Sequence, residues 1–329
     1  MDKKVSIITP CFNGGQFVGR YLDSILRQTY KNIELIFVND GSNDNTEDIV
    51  KDYIEKFNDV GMKLIYIYQE NSGQAAAMNQ GLKIFSGEYL TWPDSDDILT
   101  DDSIEKKVKF LEENQQYGLV RTDAKLVDEN NLDNVIGYFG KNNPNKYKEK
   151  LFDDFIIENR VWFAPGCYMV RSSAYLEVNQ DRRIYEGRGG QNWQMLLPIT
   201  YKYKCGYIDE PLYIYVVRDN SHSHSNASLN GEIDRTFNHE NLLTNTLEFV
   251  DMSDEERKKY IKIIKEKYIK KRFNIACKFN NKKLAEKYYK EVKKYNIDTI
   301  KDRITYLRIQ NNALNSIYNS IRKIRRLVR

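Results

Sequence analysis

The chain has 329 residues, of which 41% are hydrophobic and 30% charged, with a formal net charge of +4. That is length enough for about two domains with cores of their own, and no apolar run reaches the roughly 18 residues that a membrane-crossing helix requires. Four scattered cysteines, Cys11, Cys167, Cys205 and Cys277, fit buried reduced thiols better than a disulfide or zinc framework, and Met1-Asp2-Lys3-Lys4 is too short a prelude to the first apolar run for a signal peptide.

That first run, Val5-Ser6-Ile7-Ile8-Thr9, stops at Pro10 and is followed by Cys11-Phe12-Asn13-Gly14-Gly15. Phe17, Tyr21, Leu22, Ile25 and Leu26 then recur at helical spacing. A second strand, residues 33–38, enters Asn39-Asp40-Gly41-Ser42, with Asp44 and Thr46 close behind. A third, residues 64–68, enters Asn71-Ser72-Gly73-Gln74 and a helix expected from Ala75 to about Phe85. The fourth, Tyr89-Leu90-Thr91-Trp92-Pro93, runs directly into Asp94-Ser95-Asp96-Asp97. Strand and helix alternate with short loops, which predicts a parallel, doubly wound α/β sheet. Such sheets bind ligands outside the carboxyl ends of their strands, where Thr9, Asp40, Asn71 and Asp94 all fall.

Alternate residues of an extended segment point the same way, so Asp94 and Asp96 are placed to share one divalent cation. Hard oxygen ligands suit Mg2+ or Mn2+, ions usually held by one or two carboxylates together with substrate phosphates. Taken singly, Asp40-Gly41 reads as a turn and Asn71-Ser72-Gly73 as a helix cap. Their order at successive strand ends favours a binding edge. No Gly-rich Walker loop and no Gly-x-Gly-x-x-Gly follows the first strand, so kinase-like and dinucleotide-binding readings lack a phosphate cradle.

These four ordered motifs resemble those of the family 2 glycosyltransferases, enzymes with the nucleotide-sugar-binding fold called GT-A. The resemblance covers about the first hundred residues. It implies a mostly parallel central sheet flanked by helices, and inverting transfer of a sugar from a nucleotide diphosphate, with UDP the expected nucleotide. It implies that Thr9 and Pro10 border the nucleobase, that Asp40 accepts a hydrogen bond from it, that Asp94 contacts ribose or sugar, and that Asp96 binds the metal. Asn13, Asn71, Gly73, Gln74, Asn79, Ser95, Gln191 and Trp193 complete the implied substrate-binding set.

In the middle of the chain, residues 119–122 read as a strand, 130–145 as a loop or exposed hairpin that shapes acceptor choice, and 161–170 as a buried strand on the active-site floor. An inverting transfer needs a base, which in the family is commonly the Asp of a Glu-Asp pair opening a helix after a glycine-rich turn. Here the matching stretch is Gly189-Gly190-Gln191-Asn192-Trp193-Gln194, and a neutral amide such as Asn192 has no useful proton affinity. Three readings stay open: Glu186 or Asp181 serves as the base, the amides orient the acceptor while a donor oxygen assists, or the protein is inactive. The intact donor and metal motifs favour an active enzyme. Downstream, Pro211 to Arg218 alternates as a strand, and the family places a histidine after its last core strand. His222 is thus the implied metal ligand, with His224 the fallback and Arg218 on the phosphates.

From Asp251 onward there are 24 Lys and Arg against 9 Asp and Glu, a net of +15, which leaves −11 for residues 1–250. Helical spacing of Tyr260, Ile263, Ile264, Tyr268 and Ile275 predicts a basic α-helical appendage. Leu314, Ile317, Tyr318, Ile321, Ile324 and Val328 form an aliphatic face flanked by five cations, the pattern of a helix lying on an anionic membrane surface. Expected, then, are a nucleotide-sugar-binding half (1–105), an acceptor half (106–228) and a basic helical region (229–329). The acceptor is expected to be a saccharide, in particular a lipid-linked one of surface polysaccharide assembly. The expected location is cytoplasmic, peripheral on the inner face of the membrane, and no nucleic-acid partner is expected. A noncatalytic sugar-nucleotide-binding protein is the alternative.

Overall fold

The structure is a computed structural model that describes residues 3–187, 191–218, 228–311, 313 and 314. The chain divides into two compact units, residues 1–225 with 245–252 and residues 226–244 with 253–329.

The first unit opens with β1 (Val5–Cys11), α1 (Val18–Leu26), β2 (Ile33–Asp40), α2 (Thr46–Asp59), β3 (Lys63–Gln69), α3 (Gln74–Ile84), β4 (Tyr89–Thr91) and β5 (Ile98–Leu99). Every residue of β1 and β2 is buried, as expected of parallel strands covered on both faces. The helices that cover them are amphipathic: α1 buries Val18, Tyr21, Leu22 and Ile25, and α2 buries Val50, Tyr53 and Phe57. Next come α4 (Ser103–Glu113), β6 (Tyr117–Asp128), β7 (Asn131–Tyr138), α5 (Phe152–Ile157), β8 (Tyr168–Arg171), α6 (Ser172–Val178), α7 (Asn192–Lys202) and β9 (Lys204–Val217).

All these strands join one sheet in the order β3-β2-β1-β4-β8-β6-β9-β5, with β7 paired to β6. The sheet is mixed. Strands β1 to β4 are mutually parallel, whereas β8 runs antiparallel to both β4 and β6, and β5 and β7 add antiparallel edges. The sheet is thus mostly parallel as expected, since β6 and β9 also pair in parallel, with antiparallel strands inserted in its second half. Beyond β4 no regular strand–helix crossover sets strand direction, and long-range pairing decides it. The segment 161–170 is also less regular than its composition implies. Residues 165–167 form a 3-10 turn, and only Tyr168–Arg171 is strand. Pro165 has no N–H to give a sheet, and the backbone of Gly166 lies so close to Tyr213 that a Cβ would fall 2.0 Å from its ring. Residues 131–138 form an exposed hairpin strand on β6. The four cysteines are free and buried.

The second unit contains α8 (Leu229–Thr246), most of which belongs to it, together with α9 (Asp254–Lys278), α10 (Lys282–Lys294) and α11 (Ile300–Gln310). Its core is built on Ile269, Phe273, Ala276, Tyr288, Val292 and Ile309. Arg272 is buried there, paired to Glu240 at 2.6 Å with its guanidinium over the Phe237 ring. Ser253, Asn281 and Thr299 cap α9, α10 and α11 with side-chain oxygens. No described helix is long and apolar enough to cross a membrane.

Candidate active site

The four expected strand-end motifs converge at one edge of the first unit, and their side chains hold one another in place. After β1, the Asn13 N–H donates to Ser42 Oγ at 2.9 Å, and Asn13 Oδ1 accepts from the Asn43 N–H at 2.8 Å. Gly14 N donates to Thr46 Oγ1 and Gly15 N to Asp44 Oδ2, both at 2.8 Å. The loops after β1 and β2 are thus a single stitched body. Asn13 adopts a left-handed backbone (φ 52°), which asparagine tolerates better than most residues. Thr9 faces inward, its hydroxyl bonded to the Tyr21 hydroxyl (2.5 Å) and to Pro93 O (3.2 Å), so any border it gives a nucleobase is backbone.

Asp40 ends β2 buried and accepts three hydrogen bonds: Gln69 Nε2 (2.6 Å), Ser72 N (2.8 Å) and Gly73 N (2.9 Å). Its carboxylate, not the side chain of Asn71 or Ser72, caps the entry to α3. Gly73 opens α3 with φ 92°. Gly41 (φ 75°) lets the backbones touch, since a Cβ there would lie 2.6 Å from Asn71 N. Two of the three bonds fall on Oδ1, which leaves acceptor capacity on Oδ2. Asp40→Ala is expected to lower stability by about 2–3 kcal/mol, because it strands two backbone donors and an amide, and to weaken nucleotide binding. Chemical denaturation and nucleotide titration of the same variant check both.

The Asp-Ser-Asp-Asp segment is a turn rather than the extension of β4, which ends at Thr91. The turn gathers three carboxylates: oxygens of Asp94, Asp96 and Asp97 all lie within 4.8 Å of one another. Half-buried Asp94 accepts from Gln74 Nε2 (3.1 Å) and Gln191 Nε2 (3.5 Å). Burial, then the charge of Asp96, push it up to about 7. Asp97 is buried and accepts from the Tyr213 hydroxyl (2.7 Å) and Val216 N (2.8 Å). Burial and its acidic neighbours hold it well above the usual carboxylate range despite those bonds. Asp96 pairs with Arg218, whose guanidinium also lies over the Phe17 ring, and Arg20 donates to the Asp96 carbonyl at 2.7 Å. Below them the thiol of Cys11, bonded to Ser95, is pushed up to about 12 by burial.

This donor set fits a divalent cation. Three crowded carboxylates carry more negative charge than the Arg218 side chain offsets, and this repulsion adds to burial in raising Asp94 and Asp97; a hard cation relieves it. Both oxygens of buried Asp97 accept from protein donors, whereas Asp94 and Asp96 are only partly buried. His222 and His224 lie outside the described residues.

A buried lysine supports the turn from beneath. Lys107 Nζ donates to Gly166 O at 2.5 Å, and Gly166 packs against the ring of Tyr213. Burial drops Lys107 from 10.5 to about 8. Its folded value lies below its unfolded one, so between about pH 8 and 10.5 the unfolded chain holds the extra proton and stability rises with pH. Near pH 7 the charged lysine is destabilising. Lys107→Met is therefore expected to add about 1–2 kcal/mol at pH 7, after allowing for the orphaned Gly166 carbonyl. That gain should shrink by pH 10, which denaturation at the two pH values checks.

The remaining expected residues divide. Asn79 is nearly buried and does not face the cleft: its Oδ1 accepts from Ile184 N (2.8 Å), and its Nδ2 donates to Ile184 O (3.1 Å) and Glu186 Oε1 (2.9 Å). It positions Glu186, which is otherwise exposed. Asp181 is exposed in the loop after α6. Gln191 sits at the start of α7 beside Asp94, and Asn192 is tied to Phe163 O (2.8 Å) and to the Trp92 indole (3.4 Å). Trp193 is a core residue, its indole donating to Phe155 O and its ring packed on Phe163. Tyr213, Gln69 and Arg20 are structural partners that no motif announced. Only the inward alternation of the strand holding Tyr213 gave a sign.

Comparison with known proteins settles the lineage. Residues 6–178 match the family model described as glycosyl transferase family 2. The chain belongs to that family. An uncharacterized glycosyltransferase of Rickettsia typhi is 39% identical over 148 residues, 45% of this chain and 43% of that protein. The glycosyltransferase GlyA of Streptococcus pneumoniae is 43% identical over 115 residues, 35% of this chain and 16% of its own. The family 2 chain thus spans less than half the length of these relatives. Its fold is GT-A. It superposes on S. aureus TarS 1-349 in complex with UDP-GlcNAc with a TM-score of 0.58 at 17% identity, covering 93% of this chain and 90% of TarS. With the Pyrobaculum calidifontis mannosyltransferase PcManGT, in complex with GDP-Man and Mn2+, the TM-score is 0.53 at 15% identity, over 97% and 87%.

Proposed function

We propose that this protein is an inverting, metal-dependent glycosyltransferase that moves one sugar from a UDP-sugar to a saccharide acceptor, lipid-linked, in surface polysaccharide synthesis at the inner face of the cell membrane. The observation that carries the proposal is the turn of Asp94, Asp96 and Asp97 at the carboxyl edge of a family 2 nucleotide-binding sheet. The UDP complex of TarS supports the nucleotide, and the Mn2+ of PcManGT the metal. On this reading residues 1–105 hold the donor, 106–228 the acceptor, and 229–329 a basic region toward the membrane.

The stitched loops after β1 and β2 frame the nucleobase, with Asp40 latching the Ser72–Gly73 backbone and offering Oδ2 to the base. Asp94 and Asp96 would hold a Mg2+ or Mn2+, which would supply positive charge against the leaving diphosphate. Arg218 supplies a second positive group at that leaving group. Glu186, positioned by Asn79, accepts the acceptor hydroxyl's proton as its oxygen bonds the anomeric carbon and the bond to the diphosphate breaks. Gln191 and Asn192, amides where acids are common in the family, orient the sugar.

Those same amides favour a second reading, a noncatalytic sugar-nucleotide-binding protein. Thermal-shift screening of UDP- and GDP-sugars with and without Mn2+, followed by product analysis with a lipid-linked acceptor extract, tests both. A ligand that binds only the folded state raises its midpoint with its affinity. No shift with any nucleotide sugar sinks the donor site, and a shift without sugar release or transfer establishes the second reading.

A further inference from the structure

Helix α11 carries its aliphatic side chains on the wrong face for a helix that serves only its own core. Its inner side is fixed by several contacts. Asp302, buried, caps the helix through Thr299 N and Oγ1 (2.8 and 2.6 Å) and pairs with Lys270 at 3.2 Å. Tyr306 stacks on Tyr289 with centroids 4.2 Å apart, and Ile309 is buried. Lys282 and Gln310 exchange hydrogen bonds at the far end. With the helix rotation set in this way, Ile300, Ile304 and Leu307 point outward at 75%, 62% and 61% exposure. The spacing of four and three residues keeps all three on one stripe.

Cations stand on both shoulders of that stripe, exposed Lys301 on one side and exposed Arg303 on the other, while the one carboxylate of α11, Asp302, faces inward. Arg303 also pairs with Asp298. The unit as a whole carries 25 Lys and Arg against 11 Asp and Glu. These facts choose among possible occupants. A second copy of the same unit would set like-charged shoulders against each other. A nucleic-acid backbone would satisfy the cations but leave the aliphatic row in water. A surface that is anionic and accepts hydrocarbon satisfies both.

We infer that α11 lies along an anionic bilayer, inserting Ile300, Ile304 and Leu307 into the headgroup boundary while Lys301 and Arg303 meet lipid phosphates. The inference rests on the membrane partner of the proposed function and deepens it, because it places contact on a folded helix rather than on the terminal basic residues alone.

The test is flotation of the full chain with vesicles of phosphatidylcholine and phosphatidylglycerol, and with vesicles of phosphatidylcholine alone. Ile304→Ser/Leu307→Ser is compared with wild type and with a chain ending at residue 314, circular dichroism and the donor-induced thermal shift confirming that each is folded. Wild type should bind the anionic vesicles selectively, and the double variant should bind about tenfold or more weakly, since two inserted aliphatic side chains are lost. Equal binding of wild type and the double variant overturns the inference. If truncation alone releases the protein, the membrane reading stands and the role of α11 falls. If wild type binds no vesicles, both fall. A double variant that instead loses a dimer in sedimentation, with vesicle binding unchanged, assigns the face to a second copy and overturns the inference.

Discussion

Asp96→Ala is expected to lower transfer by about 10²–10³-fold, the loss typical when one electrostatic group aimed at transition-state charge is removed, and to abolish the Mn2+-dependent part of donor binding. The fold should survive, because Asp96 is only partly buried and its carboxylate contacts Arg218 rather than the core. A second effect accompanies the first. With Asp96 gone, the mutual repulsion that raises Asp94 and Asp97 weakens, since both are pushed up in part by the Asp96 charge. Both should ionise at lower pH, which carboxyl titration by NMR can follow. Calorimetry of donor binding with and without Mn2+ is the decisive measurement, and unchanged metal-dependent affinity would remove Asp96 from the metal site.

Glu186→Gln is expected to reduce turnover by about 10²–10⁴-fold while leaving donor affinity intact, because a general base acts on the transition state and not on nucleotide binding. The amide keeps the shape and can still meet Asn79, so the 184–186 segment stays in place. Asn79→Ala should mimic the defect more weakly, by releasing Glu186 and Ile184 from their shared anchor. Single-turnover kinetics separate these effects from product release. Full activity in both Glu186→Gln and Asp181→Asn would send the search for the base elsewhere.

The donor half of the site was legible in the residues because it is built locally. Parallel strands buried on both faces must be apolar runs, and the turn chemistry after each run marks the binding edge. Thr9, Asp40, Asn71 and Asp94 therefore stand at the ends of four adjacent strands, in the spatial order Asn71, Asp40, Thr9 and Asp94. The other half depends on contacts far apart in sequence. Nothing near residues 161–170 announces that Gly166 must pass under Tyr213, or that β8 runs antiparallel to β4. Side-chain direction in irregular backbone was equally hidden. Asp94 and Asp96 were expected to align by strand periodicity, yet a turn gathers them and brings in Asp97 as well. Asn79 and Trp193 lie close to the motifs in sequence but turn toward the Ile184 backbone and the aromatic core.

The pairing of Asp96 with Arg218 makes metal and diphosphate each other's helpers on the proposed reading. Without ligands, each side chain neutralises the other. A cation taking Asp96 frees Arg218 for phosphate, and a diphosphate taking Arg218 frees Asp96 for the cation. Whichever arrives first bears the cost of parting the pair, and the second binds to a site already opened. Linkage requires the favour to be returned by the same factor, so saturating UDP should tighten Mn2+ as much as saturating Mn2+ tightens UDP. Free metal alone would then be held weakly, and the enzyme would hold its cation firmly only while a donor is bound.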